Sequence, residues 1–161
     1  MDFHRQDATK RRREGPSSQP TYVRTRLSPS GLRYRWPRDI ARVRAVLPEY
    51  LQRTGPPGQA RYGSWVLTAC IGKGAVGFAW VVAAVGVPGS VYLEEVAVLP
   101  DFQHRGIGSK LVTDAVQWMG ELSYDLVSVH PLGSAGWFEH LGFVPTTYGL
   151  HETYTTHLHA V

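Results

Sequence analysis

The sequence predicts an α/β (α+β) domain built on a mixed, mostly antiparallel sheet with flanking helices. Three apolar segments, SWVLTACI, AVGFAWVVAAV and VYLEEVAVL, are separated only by the short turns GKG and GVPGS, which is typical of an antiparallel meander. The next segment, GIGSKLVTDAVQWMGEL, has apolar residues at helical spacing, which predicts an amphipathic helix. The apolar run YDLVSVH follows, and a strand reached through a helical crossover lies parallel to the strand before it.

Composition excludes several classes of protein. Apolar residues make up 43% of the 161 residues and charged residues 19%, as in an ordinary globular domain. Apolar runs stay well short of the roughly 20 residues of a membrane helix, and the opening segment lacks the apolar core of a secretory leader. One cysteine, Cys70, excludes a disulfide framework or a cysteine-based zinc cluster. We therefore expect a cytoplasmic protein with no metal and no membrane association.

The amino-terminal third carries much of the net charge of +4. Residues 10–13 form the basic run KRRR, and EGPSSQP follows. A basic run can bind nucleic acid, but no aromatic side chains are interleaved with it to stack on bases. We interpret residues 1–22 as a disordered, solvated tail and residues 23–161 as one domain, and we expect no nucleic-acid partner.

The other elements are predicted from shorter patterns. GLRYRW reads as a first strand, and RDIARVRAVLPEYLQ as a helix with Ile40, Val43, Val46 and Leu47 on one face. Near the carboxyl end, SAGWFEHLGF predicts a short helix that ends at Gly142. YGLHETYTTHL predicts a last strand.

The stretch LPDFQHRGIGSKL, residues 99–111, places two glycines at the start of the central helix. The first N–H groups of a helix have no partner within the helix, and the helix dipole makes that end positive. Gly106 and Gly108 would let phosphate oxygens approach the backbone, and Arg105 adds a positive charge. A phosphate-bearing ligand is one interpretation, and a plain helix entry is the other. Lys110 stands in the wrong order for a Walker loop, and the third glycine of a dinucleotide fingerprint is missing.

VYLEEVAVLPDFQHRGIGSKL resembles the acetyl-CoA signature of the GNAT superfamily of N-acetyltransferases. In that signature a strand and a Pro-containing turn lead to Gln/Arg-x-x-Gly-x-Gly/Ala, which here is QHRGIG, residues 103–108. GWFEHLGF is similar to a second family motif, usually Tyr-Glu-Lys-x-Gly-Phe. The resemblance implies a GNAT fold, in which a parallel strand pair splays apart, and acetyl-CoA as co-substrate.

The resemblance also implies where acetyl-CoA binds. The two parallel strands that splay apart would be the one ending at Leu99 and the one ending near His130. Backbone groups of Val96 and Val98 would then contact the pantetheine arm, and the amides of residues 104–109 the pyrophosphate. The implied cofactor-binding positions are Val96, Ala97, Val98, Gln103, His104, Arg105, Gly106, Ile107, Gly108, Ser109, Ser134, Trp137 and Phe138.

YLEEVAV offers two candidate catalytic carboxylates. An amine acceptor is protonated at neutral pH, so a general base must take its proton. In several members of the family an acid in this stretch serves as base or binds a cationic acceptor, which favours Glu94 as base, with Glu95 second. Each could instead be a solvated carboxylate. Strand alternation predicts two faces, with Tyr92, Glu94, Val96 and Val98 on one and Leu93, Glu95 and Ala97 on the other.

Phe138 stands where many family members have a tyrosine that can protonate the leaving thiolate. Other side chains could serve, namely Tyr124, His130, His140, Tyr148 and Tyr154, or the thiolate could leave unassisted. The resemblance thus predicts an N-acetyltransferase that moves acetyl from acetyl-CoA to a primary amine through a ternary complex. The acceptor is a small cationic amine, or an amine of a protein or peptide. A homodimer is one oligomeric state open to it. The alternative is a non-catalytic acetyl-CoA-binding regulatory or sensor protein.

Overall fold

The computed structural model describes residues 19–27, 43, 45, 63–84, 86–131, 133–148 and 151–157. The strands in these segments are β1 (Thr21–Leu27), β2 (Ser64–Ile71), β3 (Gly74–Ala83), β4 (Ser90–Val98), β5 (Leu126–Val129), β6 (Val144–Tyr148) and β7 (His151–His157). The helices are α1 (Ile107–Glu121) and α2 (Ala135–His140), and a 3-10 turn covers Pro100–Phe102. The described strands form one sheet in the order β1-β2-β3-β4-β5-β7-β6.

The centre of this sheet confirms the predicted mixed architecture. β2, β3 and β4 pair antiparallel, as a meander should. β5 follows α1 and pairs parallel to β4, as a helical crossover requires. The side chains of β2 and β3 are buried along most of their length, which explains why their sequences are continuous apolar runs rather than strictly alternating ones.

The two edges of the sheet differ from the prediction. β1 begins at Thr21, two residues before the predicted domain boundary, and pairs along the whole of β2. β6, from Val144 to Tyr148, was not predicted and pairs antiparallel with β7. Residues 31–36, predicted as the first strand, and most of the tail at 1–18 lie outside the described residues.

The helix predicted after residue 37 also lies mostly outside the described residues. Val43 and Ala45 are described and helical. The Val43 side chain is only 2% exposed and packs with Phe78 and Trp80 of β3. Its burial agrees with the apolar face predicted for that helix.

Apolar side chains cover both faces of the sheet. On one face α1 packs its buried residues Leu111, Val112, Ala115, Trp118 and Met119 against β2, β3 and β4. On the other face Val66, Phe78, Trp80, Val82 and Ala97 form a second cluster. The Trp80 indole there donates a buried hydrogen bond of 2.7 Å to Ser64 Oγ, so the polar N–H of the ring is satisfied.

Gly77 brings three elements into close contact. A Cβ atom at this position would lie 2.8 Å from the Ala97 carbonyl oxygen, 3.2 Å from Val98 Cγ2 and 3.3 Å from Leu111 Cδ1. Only glycine fits this space. The amino-terminal half of α1 therefore sits close to the end of β4, which positions the start of the helix beside Val98.

Candidate functional site

The parallel strands β4 and β5 separate partway along their length. They pair from Ser90 with Leu126 to Leu93 with Val129, where β5 ends, whereas β4 continues to Val98. We call the point just beyond this last pair the fork. Past the fork, the described part of the chain places no strand against that edge of β4, and a cleft opens there.

A cavity of about 570 Å³ lies along this cleft between the end of β4, the start of α1 and the start of α2. The residues that line it are Val96, Val98, Gln103, His104, Gly106, Gly108, Ser109, Ser134 and Trp137. All of these are among the predicted cofactor-binding positions. The fold thus brings together residues that lie up to 41 positions apart in the sequence (Val96 to Trp137).

Backbone groups of β4 face this cavity. The Leu99 N–H donates to the Val76 carbonyl of the neighbouring chain segment at 2.8 Å. Because backbone groups alternate in direction along a strand, those of Val96 and Val98 point away from β3 and toward the cleft. The Gln103 side chain donates from Nε2 to the Val98 carbonyl at 3.0 Å, which ties the turn before α1 to the end of β4.

The start of α1 presents free backbone donors to the same cavity. Gly106 is the N-cap residue, with φ of 79°, so the helix start has no side-chain hydrogen bond from its N-cap. The first bond within the helix runs from Lys110 N–H to the Gly106 carbonyl at 3.0 Å. His104 also has a positive φ, 58°, so the turn just before the helix contains two residues in the left-handed region. The first-turn N–H groups and the positive end of the helix dipole together suit an anion.

Four predicted cofactor-binding residues do not line the cavity. Ala97 is 7% exposed and packs on the opposite face of the sheet, and Ile107 and Phe138 are 4% and 5% exposed within the core beneath α1. Arg105 is exposed, with its guanidinium carbon 5.4 Å from the centre of the Phe102 ring. The first three side chains therefore lie in the core behind the cavity walls. The Arg105 side chain lies on the surface, next to Phe102.

β4 contains a bulge at Glu94. Trp80 on β3 lies opposite Glu95, and the next β3 residue lies opposite Leu93, so the pairing skips Glu94. In a bulge, two residues of one strand oppose one residue of its partner. Leu93 before the bulge and Val96 after it both pack on the α1 face, which leaves Glu94 and Glu95 together on the other face.

The predicted alternation along β4 is therefore wrong. Tyr92 packs on the face away from α1, whereas Val96 and Val98 pack on the α1 face. The extra residue at the bulge reverses the pattern between them. The prediction that the two glutamates lie on opposite faces is wrong for the same reason.

The two carboxylates have different surroundings on that shared face. Glu95 is 7% exposed, opposite Trp80. Glu94 is exposed and lies at the fork. Partial burial of its carboxyl group raises the pKa of Glu94 above its usual value, and the nearby His130 imidazole acts in the opposite direction. A carboxyl with a raised pKa beside a cleft suits a general base.

The candidate proton donors are spread over the molecule. Tyr124 makes an edge-to-face contact with Trp65, with ring centroids 5.4 Å apart, and the Tyr154 hydroxyl donates to Glu139 at 3.2 Å. His140 is exposed on α2, and the side chain of Tyr148 lies outside the described part of the chain. His130 is the candidate that stands at the fork. Its ring stacks on that of Tyr92, a contact that could not be predicted from the sequence.

None of the helices in the described segments is long and apolar enough to cross a membrane. The same residues contain no group of three or more His, Cys, Asp or Glu side chains placed to hold a metal ion.

The chain is similar to known proteins in both sequence and structure. A family model described as "Acetyltransferase (GNAT) domain" matches residues 61–145, just over half of the chain. The structure is similar to that of a GNAT-family protein from Desulfovibrio desulfuricans, with a TM-score of 0.63, 18% identity, and 86% of this chain and 99% of that chain covered. It is also similar to an acyl-CoA N-acyltransferase of Klebsiella pneumoniae, with a TM-score of 0.62, 15% identity, and 85% and 97% covered.

The N-acetyltransferase of Lactobacillus plantarum gives a TM-score of 0.62 at 14% identity, with 87% of this chain and 99% of that chain covered. At such identities these likenesses show the fold. A search of curated proteins gives no match.

Proposed function

The chain belongs to the GNAT family of acetyltransferases, and from that premise we propose that it transfers an acetyl group from acetyl-CoA to a primary amine. Both substrates would be bound at once, and the transfer would be direct. One observation carries the proposal. The cavity at the fork joins cleft-facing backbone groups of β4 to the uncapped start of α1, so a single elongated, phosphate-bearing thioester fits both.

The residues present suit acetyl-CoA. The first-turn amides of α1, around Gly106, Gly108 and Ser109, would hold the pyrophosphate. The cleft-facing backbone groups of Val96 and Val98 would hydrogen-bond the amides of the pantetheine arm. The Trp137 side chain would cover the arm from the α2 side of the cavity. This arrangement would leave the thioester near the fork.

The acceptor amine would approach from the face of the sheet opposite α1. Both Glu94 and Glu95 lie on that face because of the bulge. An alkylammonium has a pKa near 10.4 and is attracted by carboxylates, which supports a cationic amine as acceptor. A small molecule and an amine on a peptide both meet this requirement.

Glu94 would act as the general base. It takes one proton from the ammonium group, and the free amine attacks the thioester carbonyl carbon to form the C–N bond. The C–S bond then breaks, and the nitrogen releases its second proton to solvent as it becomes the amide. Val96 N–H would stabilise the negative charge that develops on the carbonyl oxygen. The raised pKa of Glu94 brings the carboxylate closer to the proton affinity that a base needs near neutral pH.

The leaving thiolate would depart without an acid from α2. Phe138 has no proton to donate, and its ring is buried between Trp137 and Phe143, with centroids 4.8 and 5.4 Å away. A thiol with a pKa near 8.5 is a fair leaving group unaided. Solvent can protonate the thiolate after release.

The test is thiol release from acetyl-CoA with a panel of polyamines, aminocyclitols, lysine peptides and peptides with free amino termini. We expect release with at least one acceptor, and a loss of about 10² or more in kcat for Glu94→Gln. Glu121→Gln is the matched control, because Glu121 is exposed at the far end of α1 and pairs with Arg24, and it should keep full activity. Binding of acetyl-CoA without release for any amine would instead favour a non-catalytic binder.

A further inference from the structure

His130 occupies a distinctive position at the fork. It follows Val129, the last residue of β5 to pair with β4. Its imidazole stacks on the Tyr92 ring, with centroids 5.9 Å apart and an angle of 16° between the planes. The proposed function assigns no role to this side chain.

The stack lies on the same face of the sheet as the two glutamates. Tyr92 pairs with Ser128 across the parallel ladder and packs on the face away from α1. His130 is two residues beyond Ser128, so it shares that face. The bulge brings Glu94 to the same face of β4 just past the fork. The imidazole and the Glu94 carboxylate therefore lie on one face of the sheet, near the point where the strands part.

The described elements around Glu94 offer few other charges. β4 contributes Tyr92 and Glu95, β3 contributes the neutral Trp80 indole opposite the bulge, and His130 follows β5. Partial burial of the Glu94 carboxyl raises its pKa, and His130 is the nearby group that counters this shift. Because an imidazole is cationic only when protonated, the opposing effect is strongest on the acidic side.

We propose that His130, held flat against Tyr92, is a positioning residue whose positive charge acts on the Glu94 carboxylate at the fork and keeps it ionised for proton abstraction. This role rests on the proposed function. His130 acts through Glu94 and touches neither acetyl carbon nor acceptor nitrogen. His130 extends to lower pH the range over which the Glu94 carboxylate is ionised and can act as a base. The stack on Tyr92 restrains the imidazole.

The test is the pH dependence of kcat/KM for the amine in His130→Gln. Without the imidazolium the pKa of Glu94 is higher, so the acidic limb of the profile should move to higher pH. The loss of kcat/KM in His130→Gln should be largest at acidic pH, and it should be smaller than the loss in Glu94→Gln. KM for acetyl-CoA should not change. Tyr92→Leu, which removes the stack, should move the limb in the same direction. His140→Gln, at an exposed histidine outside the cavity lining, should leave the profile in place.

Two readouts separate a positioning role from a structural one. In the Glu94→Gln background, His130→Gln should cause no further loss of rate, because the group through which it acts is gone. Carbon-detected NMR should show the Glu94 carboxyl titrating at higher pH in full-length His130→Gln than in the wild type, a measurement that needs no turnover.

The outcomes are distinguishable. The role of His130 would be overturned, and the proposed function left standing, by either of two results with an active wild-type enzyme. One is a Glu94 carboxyl titration whose midpoint does not move in His130→Gln. The other is an additive loss of rate when His130→Gln is combined with Glu94→Gln. A wild-type protein that acetylates no amine would overturn the proposed function, and the role of His130 with it.

Discussion

Gly108 lines the cavity together with Trp137 and Val98. A Cβ atom added to it would meet Trp137 Cζ2 at 3.5 Å and Val98 Cγ2 at 3.7 Å, both ordinary van der Waals distances. The backbone there is helical, so alanine introduces no strain. Gly108→Ala should therefore fold, with a stability unchanged or higher by up to about 1 kcal/mol from its better helix propensity.

Valine at this position has a different consequence. Its γ-methyl groups extend about 1.5 Å beyond Cβ, so a methyl directed at Trp137 would come within about 2 Å of the ring and is excluded. The allowed rotamers direct the methyls into the cavity, where the cofactor arm would pass. We expect Gly108→Val to weaken acetyl-CoA binding by at least about tenfold, or 1.4 kcal/mol, and Gly108→Ala to weaken it by less.

The assay is calorimetric titration with acetyl-CoA, with thermal unfolding on the same samples. Gly136→Ala and Gly136→Val are the matched controls, because Gly136 is also helical but a Cβ there meets nothing within 4 Å. Both controls should bind like the wild type. A folded Gly108→Val protein with wild-type affinity would refute the placement of acetyl-CoA between Val98 and Trp137.

Three other substitutions test the same structure. The pKa of Glu94 is raised in the folded state, so its charged form opposes folding. Glu94→Gln should therefore raise the free energy of unfolding at neutral pH. This gain in stability should vanish as the pH falls below the unfolded-state pKa of a glutamate. Denaturant titrations across pH check this, and a variant less stable than the wild type at pH 7 would contradict it. Gly77→Ala should cost about 1–3 kcal/mol, because its Cβ would lie 2.8 Å from the Ala97 carbonyl oxygen; an unchanged urea midpoint would disprove the close approach. Trp80→Phe leaves the buried Ser64 hydroxyl without its 2.7 Å partner, at a cost of about 1–3 kcal/mol; adding Ser64→Ala should then cost little more, and full additivity in urea titrations would count against the bond.

The interior of the sheet was predictable because burial on both faces leaves a continuous apolar run in the sequence. β2 and β3 are such runs, and α1 carries a clear helical stripe. β1 was not predictable in this way. It is an edge strand whose residues are mostly exposed or half-buried, and TYVRTRL therefore resembles the polar tail before it.

The glycines and turn residues that line the cavity could be proposed from the sequence, because they form one short motif at a helix start. The stacking of His130 on Tyr92 could not, since it depends on the register of β5 against β4. The bulge at Glu94 was also hidden. YLEEVAV alternates in a way that fits a regular strand, and only the pairing with β3 reveals the extra residue.

That one extra residue has a consequence for both substrates. Val96 and Val98 turn their side chains toward α1 and their backbone groups into the cleft, so in the proposed function the cofactor would bind beside α1. In a regular strand, Glu94 would share their face and its carboxylate would compete with the phosphate-bearing ligand for that space. The bulge at Glu94 moves both carboxylates to the opposite face, where the apolar cluster around Trp80 lies. An anionic thioester and a cationic amine can then approach from opposite faces of the sheet and meet at the fork, since that is where the gap between β4 and β5 connects the two faces.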